Sequence, residues 1–178
     1  MGKRSDFERV PRDFYPTPRE AVLPLLPHLP PSDQFSYWEP CAGDGALIKH
    51  IPATDISASD IEPQSSRVAR ACAFDVHPSH RTSVDMIITN PPWDRKILHP
   101  MIEHFSSMLP TWLLFDADWM QTKQSAKYMP WLSKIVSVGR VKWIPDSKMT
   151  GKDNCAWYLF DQKHTGETQF FGRKDNLT

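Results

Sequence analysis

The stretch Val84-Asp85-Met86-Ile87-Ile88-Thr89 is followed directly by Asn90-Pro91-Pro92-Trp93. The apolar, β-branched residues predict a buried strand, and the two prolines predict a rigid turn at its end. Because proline has no backbone N–H and a fixed φ, the carbonyls of this turn stay out of any helical hydrogen-bond ladder. The turn is therefore expected to present the Asn90 side chain, the Pro91 carbonyl and the Trp93 ring at one edge of a sheet.

Short apolar runs on both sides of this strand predict further strands, and helix-forming segments separate several of them. The other predicted strands are residues 35–38, 56–59, 112–115, 135–138, 141–144 and 156–160, with a stub at 73–74. The predicted helices are residues 46–51, 64–72, 98–108 and 125–132, and a short helix with Thr17 as N-cap and Pro18 at its first position. This alternation predicts an α/β fold with a mostly parallel sheet.

Composition limits the class of protein. The chain has 178 residues, with 21 basic and 21 acidic side chains and no formal net charge, which favours one ordinary globular domain over a polybasic nucleic-acid binder. No apolar run approaches the ~18 residues of a membrane span, and the first residues lack a signal-peptide pattern. The cysteines, at positions 41, 72 and 155, have no metal-ligand spacing. We therefore expect a cytoplasmic protein with neither a membrane segment nor a bound metal.

The first predicted strand ends in Glu39-Pro40-Cys41-Ala42-Gly43-Asp44-Gly45. Two glycines between a strand and a helix allow a tight turn and close approach of the backbone to a ligand. The acids would repel a pyrophosphate, so the loop favours a cationic or hydroxyl-rich nucleoside, although an ordinary glycine turn gives the same pattern.

These motifs together resemble one family. Asn90-Pro91-Pro92-Trp93 resembles the (Asp/Asn/Ser)-Pro-Pro-(Tyr/Phe/Trp) motif of amino-methyltransferases that use S-adenosylmethionine (SAM), and residues 39–45 resemble their SAM-binding loop. Asp13-Phe14-Tyr15-Pro16-Thr17-Pro18 resembles the upstream motif of γ-type DNA adenine methyltransferases, notably small phage-type ones.

The resemblance covers residues 14–160 and implies a Rossmann-like class I methyltransferase fold. That fold has a mostly parallel seven-stranded sheet with an antiparallel last strand, and helices on both faces. We expect an N-terminal arm at residues 1–13, a catalytic domain at 14–162 and a polar tail at 163–178. No segment is left for a separate target-recognition domain.

The same resemblance assigns the cofactor SAM, without a metal. Asp60 would hold the ribose hydroxyls, with Asp55 as the alternative; Ile61 would pack on the adenine and Asp75 would accept from its amine. The implied cofactor-binding residues are Tyr15, Thr17, Pro18, Glu39, Pro40, Cys41, Ala42, Gly43, Asp44, Gly45, Asp60, Ile61, Asp75 and Asn90.

The implied catalytic residues are Asn90, Pro91, Pro92 and Trp93. The Asn90 side-chain oxygen and the Pro91 carbonyl would accept the hydrogens of a target amine, while Trp93 would stack on a flipped base. Trp119 either borders the target pocket or packs in the core.

Three groups of basic residues are candidates for a phosphate-facing surface, although each is also an ordinary solvated surface pattern. The groups are Lys3, Arg4, Arg9 and Arg12; Arg140, Lys142, Lys148 and Lys152; and Arg173 and Lys174. Lys148 and Lys152 lie in a predicted substrate-facing loop at residues 146–154.

The predicted function is adenine-N6 methylation of nucleic acid, with DNA favoured over RNA. The alternatives are RNA adenine-N6 methylation, cytosine-N4 methylation of DNA, glutamine methylation of a protein, and a catalytically silent SAM-fold subunit that binds nucleic acid. A monomer, a homodimer and a separate recognition subunit all remain open.

Overall fold

The computed structural model describes residues 14–75, 83–144 and 151–174. Eight strands form a single sheet with the order β3-β2-β1-β4-β5-β7-β6-β8. Their bounds are β1 Ser36–Glu39, β2 Asp55–Asp60, β3 Ala69–Arg70, β4 Met86–Thr89, β5 Thr111–Asp116, β6 Leu132–Arg140, β7 Asn154–Phe160 and β8 Gln169–Phe171. β7 is antiparallel to both of its neighbours, β5 and β6, and every other pairing is parallel.

Two α-helices accompany the sheet. α1 spans Arg19–Val22, and α2 spans Arg95–Met108 with the Asp94 side chain accepting from the Lys96 N–H as its N-cap. Single turns of 3-10 helix occupy Leu26–His28, Ala73–Asp75, Ala117–Gln121, Lys123–Lys127 and Met129–Trp131. The predicted α/β class with a mostly parallel sheet is confirmed.

Alternate residues of the strands enter two separate apolar layers, as expected for a sheet buried on both sides. In β5, Leu113 and Phe115 pack with α2 and the residues that follow β5, whereas Trp112 and Leu114 pack with α1. Helical segments therefore cover both faces, which we name the α2 face and the α1 face.

The sheet has one strand more than the seven expected. The additional strand, β8, lies in the polar segment after residue 162 and pairs through Lys134–Val136 with the edge of β6. It gives little sequence signal because it is three residues long and Phe170 remains 60% exposed.

Several local predictions were wrong. Residues 141–144 are not a strand; the antiparallel partner of β7 is β6, where a register shift between Ser137 and Gly139, with Gly139 at φ 88°, alters the pairing near the strand's end. Residues 73–74 lie in a 3-10 turn, not in a strand.

Three predicted helices are not α-helices either. Residues 46–51 form turns, and 64–72 are broken because residues 69–70 pair with the end of β2 as β3. Residues 125–132 contain 3-10 turns, with Pro130 lacking the amide that a continuous helix needs. No helix in the described ranges is long and apolar enough to cross a membrane.

Candidate functional site

The carboxyl ends of β1, β2 and β4 meet at one edge of the sheet, because these strands are parallel neighbours. Glu39 ends β1, Asp60 ends β2, and Asn90 directly follows β4. This is the edge at which open α/β sheets bind their ligands. Asp55 is the first residue of β2 and therefore lies at the opposite edge, which removes it as an alternative to Asp60.

Asp60 organises the glycine loop after β1. One oxygen of its carboxylate accepts from the Gly43 N–H at 2.9 Å, and the other accepts from the Glu62 N–H at 2.7 Å. The Gln64 N–H donates in turn to the Gly43 carbonyl at 2.9 Å. The loop after β1 and the loop after β2 are thus held together by one acidic side chain.

Gly43 requires glycine for two reasons. Its φ is 53°, a left-handed conformation that costs energy for residues with a Cβ. In addition, a Cβ at this position would lie 2.6 Å from the ring of Phe14. The upstream segment therefore begins, in the described chain, directly against the glycine loop.

Glu39 is 2% exposed, and its Oε2 atom has no hydrogen-bond partner among the described residues. Burial, together with the nearby Asp44 and Asp60 carboxylates, raises the pKa of Glu39 well above its usual range. A buried carboxyl without a compensating partner is unfavourable in its charged form. The group is therefore suited to a ligand that brings a donor or a positive charge.

The Asn90 carboxamide is held at both of its ends. Its Nδ2 donates to Thr17 Oγ1 at 3.2 Å and to the Tyr15 carbonyl at 3.5 Å, while its Oδ1 accepts from Trp93 Nε1 at 3.2 Å. These contacts bring the upstream segment and the Pro-Pro turn together. They also correct the role expected for Thr17: Pro18 is the N-cap of α1, and the Thr17 hydroxyl receives Asn90.

Trp93 is half-buried and anchored through its indole nitrogen. Besides Asn90, the N–H reaches the Leu114 carbonyl of β5 at 3.1 Å. The ring of Trp143, which lies in the segment after β6, meets Trp93 edge-on at a centroid distance of 5.8 Å. The orientation of Trp93 is thus fixed by hydrogen bonds on one side and by an aromatic contact on another.

The remaining predicted cofactor residues occupy the same edge or lie near it. Pro40, Ala42 and Gly45 are buried in the loop after β1, and burial raises the pKa of the neighbouring Cys41 thiol. Ile61 follows β2 with 54% of its surface exposed, and Asp75 is exposed at the end of a 3-10 turn.

The predicted substrate residues are spread more widely. Trp119 is only 1% exposed and packs in the α2 face, where its indole N–H donates to His99 Nε2 at 3.0 Å. Of its two interpretations, core packing is the one observed. Lys152 is exposed just before β7, and Lys148 lies outside the described residues.

One acidic residue at this edge was not predicted. Asp116 ends β5, and burial is the main cause that raises its pKa. The hydrogen bond from the Asp118 N–H opposes this rise, whereas the charges of Asp118 and Asp153 add to it. Its Oδ1 accepts from the Asp118 N–H at 2.9 Å. An acid that directly follows Leu114-Phe115 was the available sequence signal. No cluster of three or more potential metal ligands occurs in the described parts of the chain.

The chain was compared with known proteins by sequence and by structure. No protein-family model and no curated protein matches the sequence. The structure of a type I restriction-modification methyltransferase subunit from Streptococcus thermophilus matches with a TM-score of 0.61 and 11% identity. The match covers 89% of this chain and 47% of the subunit. The 23S rRNA methyltransferase ErmE matches 84% of this chain and 70% of its own, with a TM-score of 0.55 and 12% identity.

A structure from Pyrococcus horikoshii, described as a candidate RNA methyltransferase, matches 88% of this chain and 90% of its own, with a TM-score of 0.57 and 17% identity. At such low identities these likenesses show the fold alone. The match spans less than half of the type I subunit. The sheet order and these likenesses lead to one conclusion: this chain has the Rossmann-like fold of the class I methyltransferases.

Proposed function

We propose that this protein transfers the methyl group of SAM to the N6 amino group of adenine in nucleic acid, with DNA as the favoured substrate. The observation that carries the proposal is the fixed Asn90 carboxamide at the end of β4, beside the glycine loop. Because Nδ2 donates to Thr17 and Tyr15, Oδ1 is the atom left on the Trp93 side. Asn90 is therefore oriented as a hydrogen-bond acceptor.

The residues around the glycine loop fit SAM. The unpartnered Oε2 of buried Glu39 suits a cationic ligand, and the exposed Ile61 provides an apolar surface for an adenine ring. Each Asp60 oxygen accepts one backbone N–H and keeps further acceptor capacity for ribose hydroxyls. When bound there, SAM supplies an electrophilic methyl group.

The target amine is a weak nucleophile because its lone pair is delocalised into the base. Asn90 Oδ1 and the Pro91 carbonyl would accept its two hydrogens and favour the pyramidal form in which the lone pair is available. A carboxamide oxygen has two acceptor sites, so Oδ1 can serve Trp93 and the amine together. These acceptors stabilise the positive charge that develops on the nitrogen, an effect that grows toward the transition state.

Trp93 would hold the target base by stacking, a contact worth roughly 1–3 kcal/mol per base. Its single N–H makes two hydrogen bonds, to Asn90 and to Leu114. These bonds and the edge-on contact with Trp143 fix the plane that the base would meet. A base inside a duplex must be flipped out to reach this ring. Lys148 and Lys152 belong to the proposed substrate-facing loop at residues 146–154.

Adenine, rather than cytosine or glutamine, is favoured by the sequence Asn90-Pro91-Pro92-Trp93 and by the upstream segment that binds Asn90. Nucleic acid as substrate is supported by the descriptions of structures that share the fold, which include an rRNA methyltransferase and a type I restriction-modification subunit.

RNA is the second candidate substrate, favoured by one observation. The Pyrococcus horikoshii structure, 90% of which is covered by the match, is described as a candidate RNA methyltransferase. In contrast, the match covers less than half of the type I subunit.

The test is to incubate the protein with isotope-labelled SAM and DNA, RNA or a protein mixture, and to identify the modified nucleoside or residue by mass spectrometry. We expect labelled N6-methyladenine from DNA. Label only in RNA adenine would transfer the proposal to RNA. Label only in protein, or SAM binding without any transfer, would overturn it.

A further inference from the structure

Strands β6 and β8 end at the same edge of the sheet as the candidate site. β7 is antiparallel to β5 and to β6, so β6 runs in the direction of β5, and β8 is parallel to β6. The carboxyl ends of β5, β6 and β8 therefore lie at the edge where Asn90 lies. Arg140 ends β6, and Arg173 and Lys174 follow β8.

The structure joins two of the basic groups that are separate in sequence. Gly139 has φ 88° and is buried, and a Cβ built on it would lie 2.6 Å from a guanidinium nitrogen of Arg173. The Arg173 side chain thus lies across the backbone of Gly139, beside Arg140. Glycine is required at this position both for its conformation and for the space that the guanidinium occupies.

The end of β6 is connected to the candidate catalytic residues by a chain of contacts. The Gly151 N–H donates to the Val141 carbonyl at 2.8 Å, and Gly151 packs closely against Trp143. Trp143 in turn contacts Trp93. The exposed Lys152 follows Gly151 directly. Three basic residues are therefore linked to the site by this chain of contacts: Arg140 at the end of β6, Lys152 before β7 and Arg173 after β8.

Lys174 lies close to His28, which is partly buried in the 3-10 turn Leu26–His28. Burial lowers the pKa of His28, and Lys134 and Lys174 lower it further. The Glu20 carboxylate of α1 accepts from the backbone N–H of Lys142, in the segment after β6, at 2.7 Å. The chain as a whole has no net charge, so the closeness of these cations reflects their placement and not the overall composition.

We propose that Arg140, Lys152, Arg173 and Lys174 form a phosphate-binding track that holds the backbone of the nucleic acid whose target base enters beside Trp93. The inference rests on the proposed function, since it identifies the surface that the substrate of that site would cross. Its partner is a polyanionic strand, recognised by charge and not by base sequence. Arg173 and Lys174, half of the track, directly follow β8, a strand that the sequence did not predict.

The test compares two double variants of equal charge. Arg173→Gln with Lys174→Gln removes two cations of the track, whereas Lys49→Gln with Lys163→Gln removes two exposed cations elsewhere. Binding to a fluorescein-labelled 20-base-pair duplex and to the matching single strand is measured by anisotropy between 50 and 200 mM salt. Binding of SAM to each variant is measured in parallel as a check on folding.

For the track variant we expect the slope of log K against log[salt] to fall by about one unit per removed contact, and affinity to drop at least tenfold at low salt. The control variant should keep the wild-type slope, and both should keep SAM affinity. An unchanged slope in the track variant would overturn the proposal, even if the wild type methylates DNA. A reduced slope without methyl transfer by the wild type would support the track and contradict only the proposed function.

Arg140→Gln tests the contribution of β6 to the track separately, because it leaves β8 and the residues after it unaltered. We expect a loss of about one further unit of salt slope when it is combined with the track variant. No additional loss would contradict the place of Arg140 in the track.

Discussion

The two halves of the sheet are stabilised in different ways. The half formed by β1–β3 contains the glycine loop and is organised by polar backbone contacts, above all those of Asp60. The half formed by β4–β8 contains α2 and a dense aromatic layer in which Trp119 contacts Phe115 and Tyr158. A pair of polar loops can adapt to a ligand, whereas interlocked rings hold a site rigid. We infer that the first half binds the cofactor and the second fixes the catalytic geometry.

The largest effect on stability is expected in the aromatic half. Trp119→Ala should lower the free energy of unfolding by about 3–5 kcal/mol, because it removes a fully buried ring and leaves a cavity. Chemical denaturation followed by circular dichroism measures the change. Trp131→Ala, at a partly exposed ring in the same layer, is the control and should cost clearly less. Equal costs would contradict the importance assigned to the aromatic layer.

In the polar half, Asp60→Asn should have a smaller effect on stability and a specific effect on the cofactor. The amide keeps one acceptor oxygen, so the N–H of Gly43 or of Glu62 loses its partner at a cost of about 1–3 kcal/mol. We expect SAM affinity, measured by calorimetry, to fall at least tenfold. Asp55→Asn, at the other end of the same strand, should leave SAM affinity unchanged; a similar loss there would refute the role of Asp60.

The contact between the upstream segment and the turn after β4 can be weakened at Thr17. Thr17→Val replaces the hydroxyl that receives Asn90 Nδ2 by a methyl group of the same size, at a cost of about 1–2 kcal/mol. The turnover number should fall roughly tenfold, since one of the bonds that orient the carboxamide is lost, while SAM affinity stays within twofold. Thr17→Ser keeps the hydroxyl and should restore turnover; failure to do so would mean that the methyl group of Thr17, not its oxygen, is what matters.

The smallest expected effect concerns pH. The pKa of Glu39 is raised in the folded protein, so the folded state holds this proton more tightly than the unfolded state does. Stability from this group therefore falls as pH rises from the unfolded pKa of about 4.3 through the folded one. Glu39→Gln removes this decline, so the Tm of the ligand-free variant should decrease less than that of the wild type between pH 5 and 8. Parallel Tm curves would contradict the burial of an uncompensated carboxyl.

The sequence predicted the strands that are buried on both sides, because apolar runs such as 112–115 leave few alternatives. It also predicted the order of Glu39, Asp60 and Asn90 at the strand ends. The segments that failed are short ones decided by tertiary contacts: residues 69–70 pair with β2 although their surroundings favour a helix, and Gly139 alters β6 through a positive φ.

The site was predictable in its residue types but not in its internal bonds. The sequence predicted Asn90 as an acceptor and Trp93 as a stacking ring, and these roles stay predictions. The hydrogen bond between the two residues, and the contact of Trp93 with Trp143, depend on distances that no sequence spacing encodes. The position of Arg173 on Gly139 is hidden for the same reason, because the two residues lie 34 positions apart in the sequence.

The central claim is that Asn90 serves chiefly the methyl transfer and contributes little to the affinity for SAM. The most direct measurement determines SAM affinity by calorimetry and the turnover of labelled methyl into DNA adenine for the wild type and for Asn90→Ala. The account predicts that turnover falls at least about a hundredfold, as for the loss of one oriented transition-state contact, with SAM affinity within threefold of the wild type. Wild-type turnover in the variant, or a collapse of SAM affinity that accounts for the lost turnover, would contradict it.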